Sequence, residues 1–336
     1  MVNFRKLTKK TEFYILLTIV LMMIVIQMRS GQFFTGNNLV DLARSMIIPA
    51  MFAIGVHMVL ISGGIDVSFP AIASLSMFAT TQMFLNAGYT GSIIVIYAVG
   101  ALIGLVLGAV NAILIAKFKF PTLIVTLGTS SLFTGILLGP LAAHEIRVPQ
   151  PMIDHGKAKL FSAANAQLGF SSDMPVTILL LIALLIVAFF IMKYTMLGRG
   201  IYAVGGDEVS AQRSGFNVFA IHFFIYCFVG LLAGLTGIAR ASMMLNANPT
   251  NMLGMEMMVI AAVVLGGARV TGGTGTLTGT MLGVALITIM SNSLILLGIP
   301  TYWQRVFTGA IIIIGTGVSA YQIVRNKKRL TNIQEA

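Results

Sequence analysis

Residues 13–28, FYILLTIVLMMIVIQM, follow the basic cluster Arg5, Lys6, Lys9 and Lys10. An apolar run behind basic residues is either a secretory signal or a membrane span. A signal needs a small-residue cleavage site after the run, and here the chain continues Arg29, Ser30, Gly31, Gln32, Phe33. The stretch therefore reads as an uncleaved first span. Similar stretches, near the roughly 20 residues that cross a bilayer, recur from there to Tyr321. Of 336 residues, 57% are hydrophobic and 9% charged, against roughly 25% charged in an ordinary soluble domain. A soluble fold of that composition would have no surface. The fold class is an all-α polytopic membrane protein of about ten helices, in a single membrane domain over residues 1–336.

The predicted spans are 13–29, 45–61, 70–86, 91–116, 121–140, 174–193, 218–241, 253–267, 276–297 and 302–324. With the N-terminus in the cytoplasm, 14 Lys and Arg lie inside and 7 outside, the orientation that the positive-inside rule favours. An even number of spans also brings Arg325, Lys327, Lys328 and Arg329 inside. The polar segment 141–173 then faces the periplasm, with room for a small surface feature, and 194–217 faces the cytoplasm. Lys117, Phe118, Lys119 and Phe120 make a tight cytoplasmic turn, after which Pro121 begins the next helix. The basic residues flank spans rather than forming one patch, so topology explains them and nucleic acid does not.

The run from Met58 to Val67 parallels that from Ala261 to Val270, an offset of 203 residues. In each, an apolar span reaches Gly-Gly (Gly63 and Gly64, Gly266 and Gly267), and a second span follows a short polar break. Both copies run from outside to inside, as in the parallel repeats of transporters.

The first of these breaks is Gly63, Gly64, Ile65, Asp66, Val67, Ser68, Phe69, Pro70. Two glycines loosen a helix and a proline cannot donate to one. The freed backbone groups survive near a membrane only where protein or water satisfies them. Asp66 at a bilayer centre costs roughly 2.5–3.5 kcal/mol, so it faces the bundle interior or the cytoplasmic surface. Two readings stand side by side: a hinge or gate beside a pathway, and an N-cap in which Asp66 or Ser68 accepts from the next helix.

A second signal runs from Leu197 to Phe216. Asp207 and Glu208 open a short helix where negative charge suits the helix dipole, Arg213 lies near its end, and Gly215 terminates it. Such a capped helix between two spans is either a rigid handle for a partner or a solvated connector.

Together these residues resemble the permease subunits of ATP-binding-cassette importers for simple sugars, the ribose, galactose and autoinducer-2 group. The resemblance rests on Ile61 to Ser68, on Tyr202 to Gly215, on Glu256 through Gly279 and on Asn292 to Gln304. It covers nearly the whole chain, and departs at Phe69 and Pro70, where the family has a small or apolar residue followed by Gly. It implies ten spans in the bacterial inner membrane and two permease chains, the second a copy or a homologue. It also implies two cytoplasmic ATPases, or one fused tandem, that bind ATP and Mg, and a periplasmic substrate-binding protein. This chain would hold no cofactor. By the same resemblance, the coupling helix to the ATPase would span Asp207 to Gly215, with Gly205, Asp207, Glu208, Ala211, Arg213, Ser214 and Gly215 carrying it. The gate would comprise Gly63, Gly64, Asp66, Ser68, Pro70, Gly266 and Gly267.

The glycine-rich run from Gly272 to Gly279 lacks a Walker lysine and a surrounding βαβ unit; dense Gly and Thr instead permit close helix packing. Glu256 and Arg240 lie near the external ends of their spans, where they either pair to shape an entrance or serve separately as an interfacial carboxylate and a snorkelling cation. His57 and His222 lie in apolar runs without a second ligand at metal spacing and read as packed, hydrogen-bonded histidines. His144 and His155, beside Glu145 and Asp154, read as ordinary loop polarity before a metal site. Cys227 has no disulfide partner, and the 21 methionines and 21 phenylalanines read as packing and lipid contact. No nucleophile stands near a base, so an intramembrane enzyme has no candidate site. The rival function is a secondary transporter or channel, which usually keeps paired ionisable groups at mid-membrane.

Overall fold

The structure is a computed structural model and describes residues 11–165 and 170–300, with 303, 306, 309, 310 and 313 beyond them. Without water to pair with, backbone in lipid closes its own hydrogen bonds, and apolar runs become helices. The helices are α1 Thr11–Ser30, α2 Gly36–Ile61, α3 Phe69–Asn86, α4 Ile93–Ala112, α5 Thr122–Leu138, α6 Gln150–Lys157, α7 Thr177–Tyr194, α8 Met196–Gly206, α9 Glu208–Arg213, α10 Val218–Met244, α11 Glu256–Leu265 and α12 Leu277–Leu296. A π-turn, Ile113–Lys117, extends α4. Among the described residues six helices are long and apolar enough to cross a membrane (α1, α2, α4, α7, α10 and α12), and α5 and α11 are apolar but shorter. The predicted tenth span, 302–324, lies outside the described residues except at the five positions above.

Helix α2 is the centre of the bundle, with Ile47, Met51, Ile54, Met58 and Ile61 all fully buried. Helices α1 and α7 present bare apolar faces, with Val25 57% and Ile186 63% exposed, as lipid-facing helices do. The tightest pair is α4 with α10. Gly100, Gly104 and Gly108, at four-residue spacing, meet Gly230 and Gly234 backbone to backbone. A Cβ on Gly104 would strike Gly230 O and lie 2.8 Å from Gly234 N, so a side chain there would force the helices apart. This is the small-residue seam of membrane helices. Its spacing stands plainly in the sequence, and the reading above overlooked it.

Loops assigned to one side meet one another. At one end Thr276 Oγ1 donates to Glu12 Oε1 at 2.9 Å, and Lys119 Nζ lies 3.9 Å from Glu208 Oε1. At the other, β1 (Ile146–Arg147) pairs antiparallel with β4 (Asn246–Ala247), and Ser172 Oγ donates to Asp41 Oδ2 at 2.9 Å. The surface feature in 141–173 is helix α6 followed by an antiparallel hairpin of β2 (Lys159–Asn165) and β3 (Phe170–Pro175). An entirely helical reading missed that hairpin. Helix α2 starts at Gly36 rather than at 45: Asn37, Asp41 and Arg44 dilute the hydropathy of its first turns, and Asp41 is held by the hairpin.

The two Gly-Gly ends close in the same way. Gly63 N donates to Leu60 O and Gly64 N to Val59 O, and Gly267 N donates to Val264 O and Ala268 N to Val263 O. In this double cap the residue after the helix is left-handed, and φ is +83° at Gly63 and +94° at Gly267. Gly63 and Gly267 thus hold the same place in their caps, 204 residues apart.

Candidate functional site

Three glycine-bearing segments converge where α2 ends. Gly273 N donates to Ile61 O at 2.8 Å, and Tyr202 Oη donates to Gly275 O at 2.9 Å. A Cβ on Gly205 would strike Ile61 O and lie 2.7 Å from Gly273 N; one on Gly272 would lie 2.5 Å from Gly205 O and 2.9 Å from Gly63 Cα. The break after α2, the end of α8 and the loop between α11 and α12 therefore touch as bare backbone. Of the predicted gate residues, Gly63 belongs to this junction, together with Gly205 from the coupling segment. Gly64 lies beside it, where a Cβ would stand 2.6 Å from Tyr226 Oη. Gly266 instead packs on Gly279 and Gly267 caps α11.

Helix α8 precedes the one helix expected in this segment, from Asp207 to Gly215. The signals were present: Thr195 Oγ1 accepts from Gly198 N at 3.1 Å as an N-cap, and Ile201 and Val204, a turn apart, are buried. Helix α9 matches its predicted bounds. Asp207 Oδ1 accepts from Ser210 N at 2.6 Å, and the hydrogen bonds from Ser210, side chain first and backbone second, hold its carboxyl below the usual carboxylate range. Gly215, at φ +88°, ends the turn. Ala211 is buried, whereas Glu208, Arg213 and Ser214 are exposed, so α9 offers one charged face to solvent. A half-open cavity of about 620 Å³ lies between this helix and the break, lined by Gly63, Gly64, Lys119, Thr122, Glu208, Gln212 and His222 among others.

Behind the cavity sits a buried polar cluster. Asp66, 2% exposed, accepts at Oδ1 from Ser68 N and Ser68 Oγ, both at 2.7 Å. Asn111 Nδ2 donates to Ser68 Oγ at 2.8 Å. Thr122 Oγ1 accepts from Ile65 N at 3.0 Å. Burial pushes the Asp66 carboxyl up, against the hydrogen bonds from Ser68. The N-cap reading falls to Asp66 rather than to Ser68. Ser68 is the N-cap residue of α3, but its side chain makes no cap bond; the hydroxyl is turned back to Asp66, whose carboxyl accepts from the N–H groups of Ser68 and of Phe69, the first residue of the helix. Pro70 takes its place in the first turn of α3, where the missing N–H costs nothing.

The far end also departs from expectation. Arg240 Nη2 donates to Asn251 Oδ1 at 3.2 Å, and Glu256 Oε2 accepts from Gly254 N at 3.0 Å. Each finds a closer local partner than the other, and no ion pair joins them among the described residues. His57 Nδ1 bonds Thr280 Oγ1 at 2.8 Å, as a packed histidine does, but His222 Nδ1 has no hydrogen-bond partner. His155 Nε2 meets Tyr97 Oη at 3.2 Å, His144 Nδ1 meets Ala142 O at 3.1 Å, and Glu145 accepts from Asn246 and Asn248. Asp154 accepts from Gln150 Nε2 at 2.7 Å, so each of these four loop residues has its own partner.

These features define a multi-pass helical membrane protein in which the break after α2, the end of α8 and the loop after α11 share one backbone junction. The family model described as branched-chain amino acid transport system / permease component matches residues 38–315, and the chain belongs to that family. It is 30% identical over 305 residues to the ribose import permease protein RbsC of Haemophilus influenzae, covering 91% of this chain and 92% of the relative. RbsC of Bacillus subtilis is 32% identical over 302 residues, 88% of each chain. The L-arabinose ABC transporter permease protein AraH of Azospirillum brasilense is 29% identical over 304 residues, 90% of this chain and 84% of the relative. No solved structure matches the chain. The chain is a permease subunit of an ATP-binding-cassette importer, a transport component and not an enzyme.

Proposed function

We propose that this permease passes a simple sugar or sugar-like molecule across the bacterial inner membrane by alternating access, driven by partner ATPases. The relatives named for ribose and arabinose supply the substrate class. The contact of Gly205 with Ile61 and Gly273 carries the mechanism. A handle pushed at α9 moves the end of α8, and bare backbone contact passes that motion to the break after α2 and to the loop after α11. On this reading Glu208 and Arg213 meet the ATPases, which hold ATP and Mg, and Gly63, Gly64 and Asp66 stand at the gate. Two ATPases or a fused tandem, a second permease chain and a periplasmic binding protein complete the assembly. The N-terminus is cytoplasmic, 141–173 periplasmic and 194–217 the coupling segment. On this reading the chain makes ten spans, 302–324 the last of them, with a parallel repeat; the shared double cap at Gly63 and Gly267 supports the repeat.

The test replaces Glu208 and Arg213 together by Ala in the transporter reconstituted with its ATPase and binding protein. Both side chains are exposed, so membrane insertion and thermal stability stay as in the wild type while substrate-stimulated ATP hydrolysis is lost. Unchanged stimulation refutes the handle.

A further inference from the structure

Among the described residues Asp66 is the one acidic side chain that is buried, and no cation pairs with it. Its Oδ1 is fully engaged with Ser68, and its Oδ2 has no hydrogen-bond partner. Asn111 Oδ1 and Tyr226 Oη are among the other buried oxygens in that condition, in residues each 1% exposed. They belong to the same cluster. Asn111 binds the Ser68 hydroxyl that binds Asp66, and Tyr226 Oη stands at the same break, 2.6 Å from where a Cβ on Gly64 would lie.

An ionised carboxylate and a side-chain amide oxygen are both acceptors, so the cluster has more acceptors than donors. One proton on Asp66 Oδ2 changes the count, making an orphaned acceptor a donor within the cluster. It also removes a buried, unpaired charge, whose desolvation nothing nearby offsets. A divalent cation would need six or more oxygens, which three orphans do not supply. The titratable group facing Asp66 is Tyr226 of α10; α4 and α5 present Asn111, Thr122 and Thr126, which do not titrate. Lys119, Glu208 and His222 line the adjoining cavity, with Lys119 held towards Glu208.

We propose that Asp66 is a neutral carboxylic acid in this conformation, and that it gives up its proton when the break after α2 opens to water. In that step the Oδ2–H bond breaks, a water molecule takes the proton, and the bonding pair stays on the carboxylate. The second half rests on the permease reading; the first does not.

Infrared difference spectroscopy of the full chain in lipid, alone and within its complex, tests the first half. At neutral pH the wild type shows the carbonyl stretch of a protonated acid, shifted in D₂O and lost in Asp66→Asn. Should that variant fail to fold, Asn111→Ala gives a second arm, in which the band moves to the frequency of an acid without that acceptor. A band missing from the wild type at neutral pH, or unchanged in both variants, overturns the proposal. A band that appears only when sodium and potassium are removed assigns the site to a cation and overturns it too. For the second half, ATP-driven uptake by the wild type changes with cytoplasmic pH and Asp66→Asn flattens the profile; coincident profiles overturn it. Absence of ATP-driven uptake altogether would count against the permease reading and leave the infrared result standing.

Discussion

Gly205→Ala adds one methyl group at the junction. The new Cβ collides with Ile61 O and stands 2.7 Å from Gly273 N, and both are backbone atoms, so no flexible side chain can yield. Overpacking of this kind costs about 1–3 kcal/mol. Displacing the Gly273 N–H from Ile61 O removes a hydrogen bond worth roughly 0.5–1.5 kcal/mol. Together the penalty is about 1.5–4.5 kcal/mol, roughly a 10- to 2,000-fold shift in the population of the joined state. Gly206→Ala is the matched control: it sits in the same last turn of α8, and nothing lies within 4 Å of its added Cβ. Helix propensity favours Ala over Gly at both sites by about 1 kcal/mol, so propensity cannot separate them. The assay is substrate-stimulated ATP hydrolysis by the reconstituted transporter, with thermal denaturation in lipid beside it. Gly205→Ala lowers both and Gly206→Ala neither. Two variants that behave alike would refute the junction.

Other consequences follow from single contacts. Gly64→Ala brings a methyl to 2.6 Å from Tyr226 Oη and lowers the melting temperature, and Tyr226→Phe in the same chain restores much of the loss; a double-mutant cycle with no coupling contradicts that contact. Gly104→Leu wedges α4 from α10 and abolishes folding, whereas Gly128→Ala, with open space around it, is neutral; expression and melting in detergent distinguish the two. Burial holds the His155 imidazole below its ordinary pKa. A depressed histidine contributes stability that is complete above its unfolded pKa of about 6.5 and is lost as pH falls through the folded value. Melting temperature therefore drops on acidification below about 6.5, and His155→Gln flattens that part of the curve.

The spans were legible because hydropathy over a long window does not depend on tertiary contacts, and the handle because its caps are local: Asp207 bonds three residues on, and Gly215 ends the turn. What escaped the sequence was decided by distant partners. The first turns of α2 look too polar to cross a membrane until Asp41 meets the hairpin at Ser172. Gly198, Gly200 and Gly205 resemble loop punctuation, yet each lies where a second backbone approaches or a side chain would collide. The pairing of Arg240 with Glu256 was argued from shared depth, and Asn251 and Gly254 intercept both. At the break, the polar residues were recognised as a group, but a distant helix completes it: Asn111 of α4 donates to the Ser68 hydroxyl, which itself donates to Asp66 and makes no cap on α3.

The central claim is that this chain supplies a pathway and a handle while partners supply the energy. Proteoliposomes carrying it with its ATPase, given a radiolabelled simple sugar and the binding protein on the opposite face, test that directly. Accumulation that requires ATP on the ATPase side and the binding protein on the other is the expected result. Uptake by the chain alone, driven by an ion gradient or by the sugar's own gradient, would contradict it.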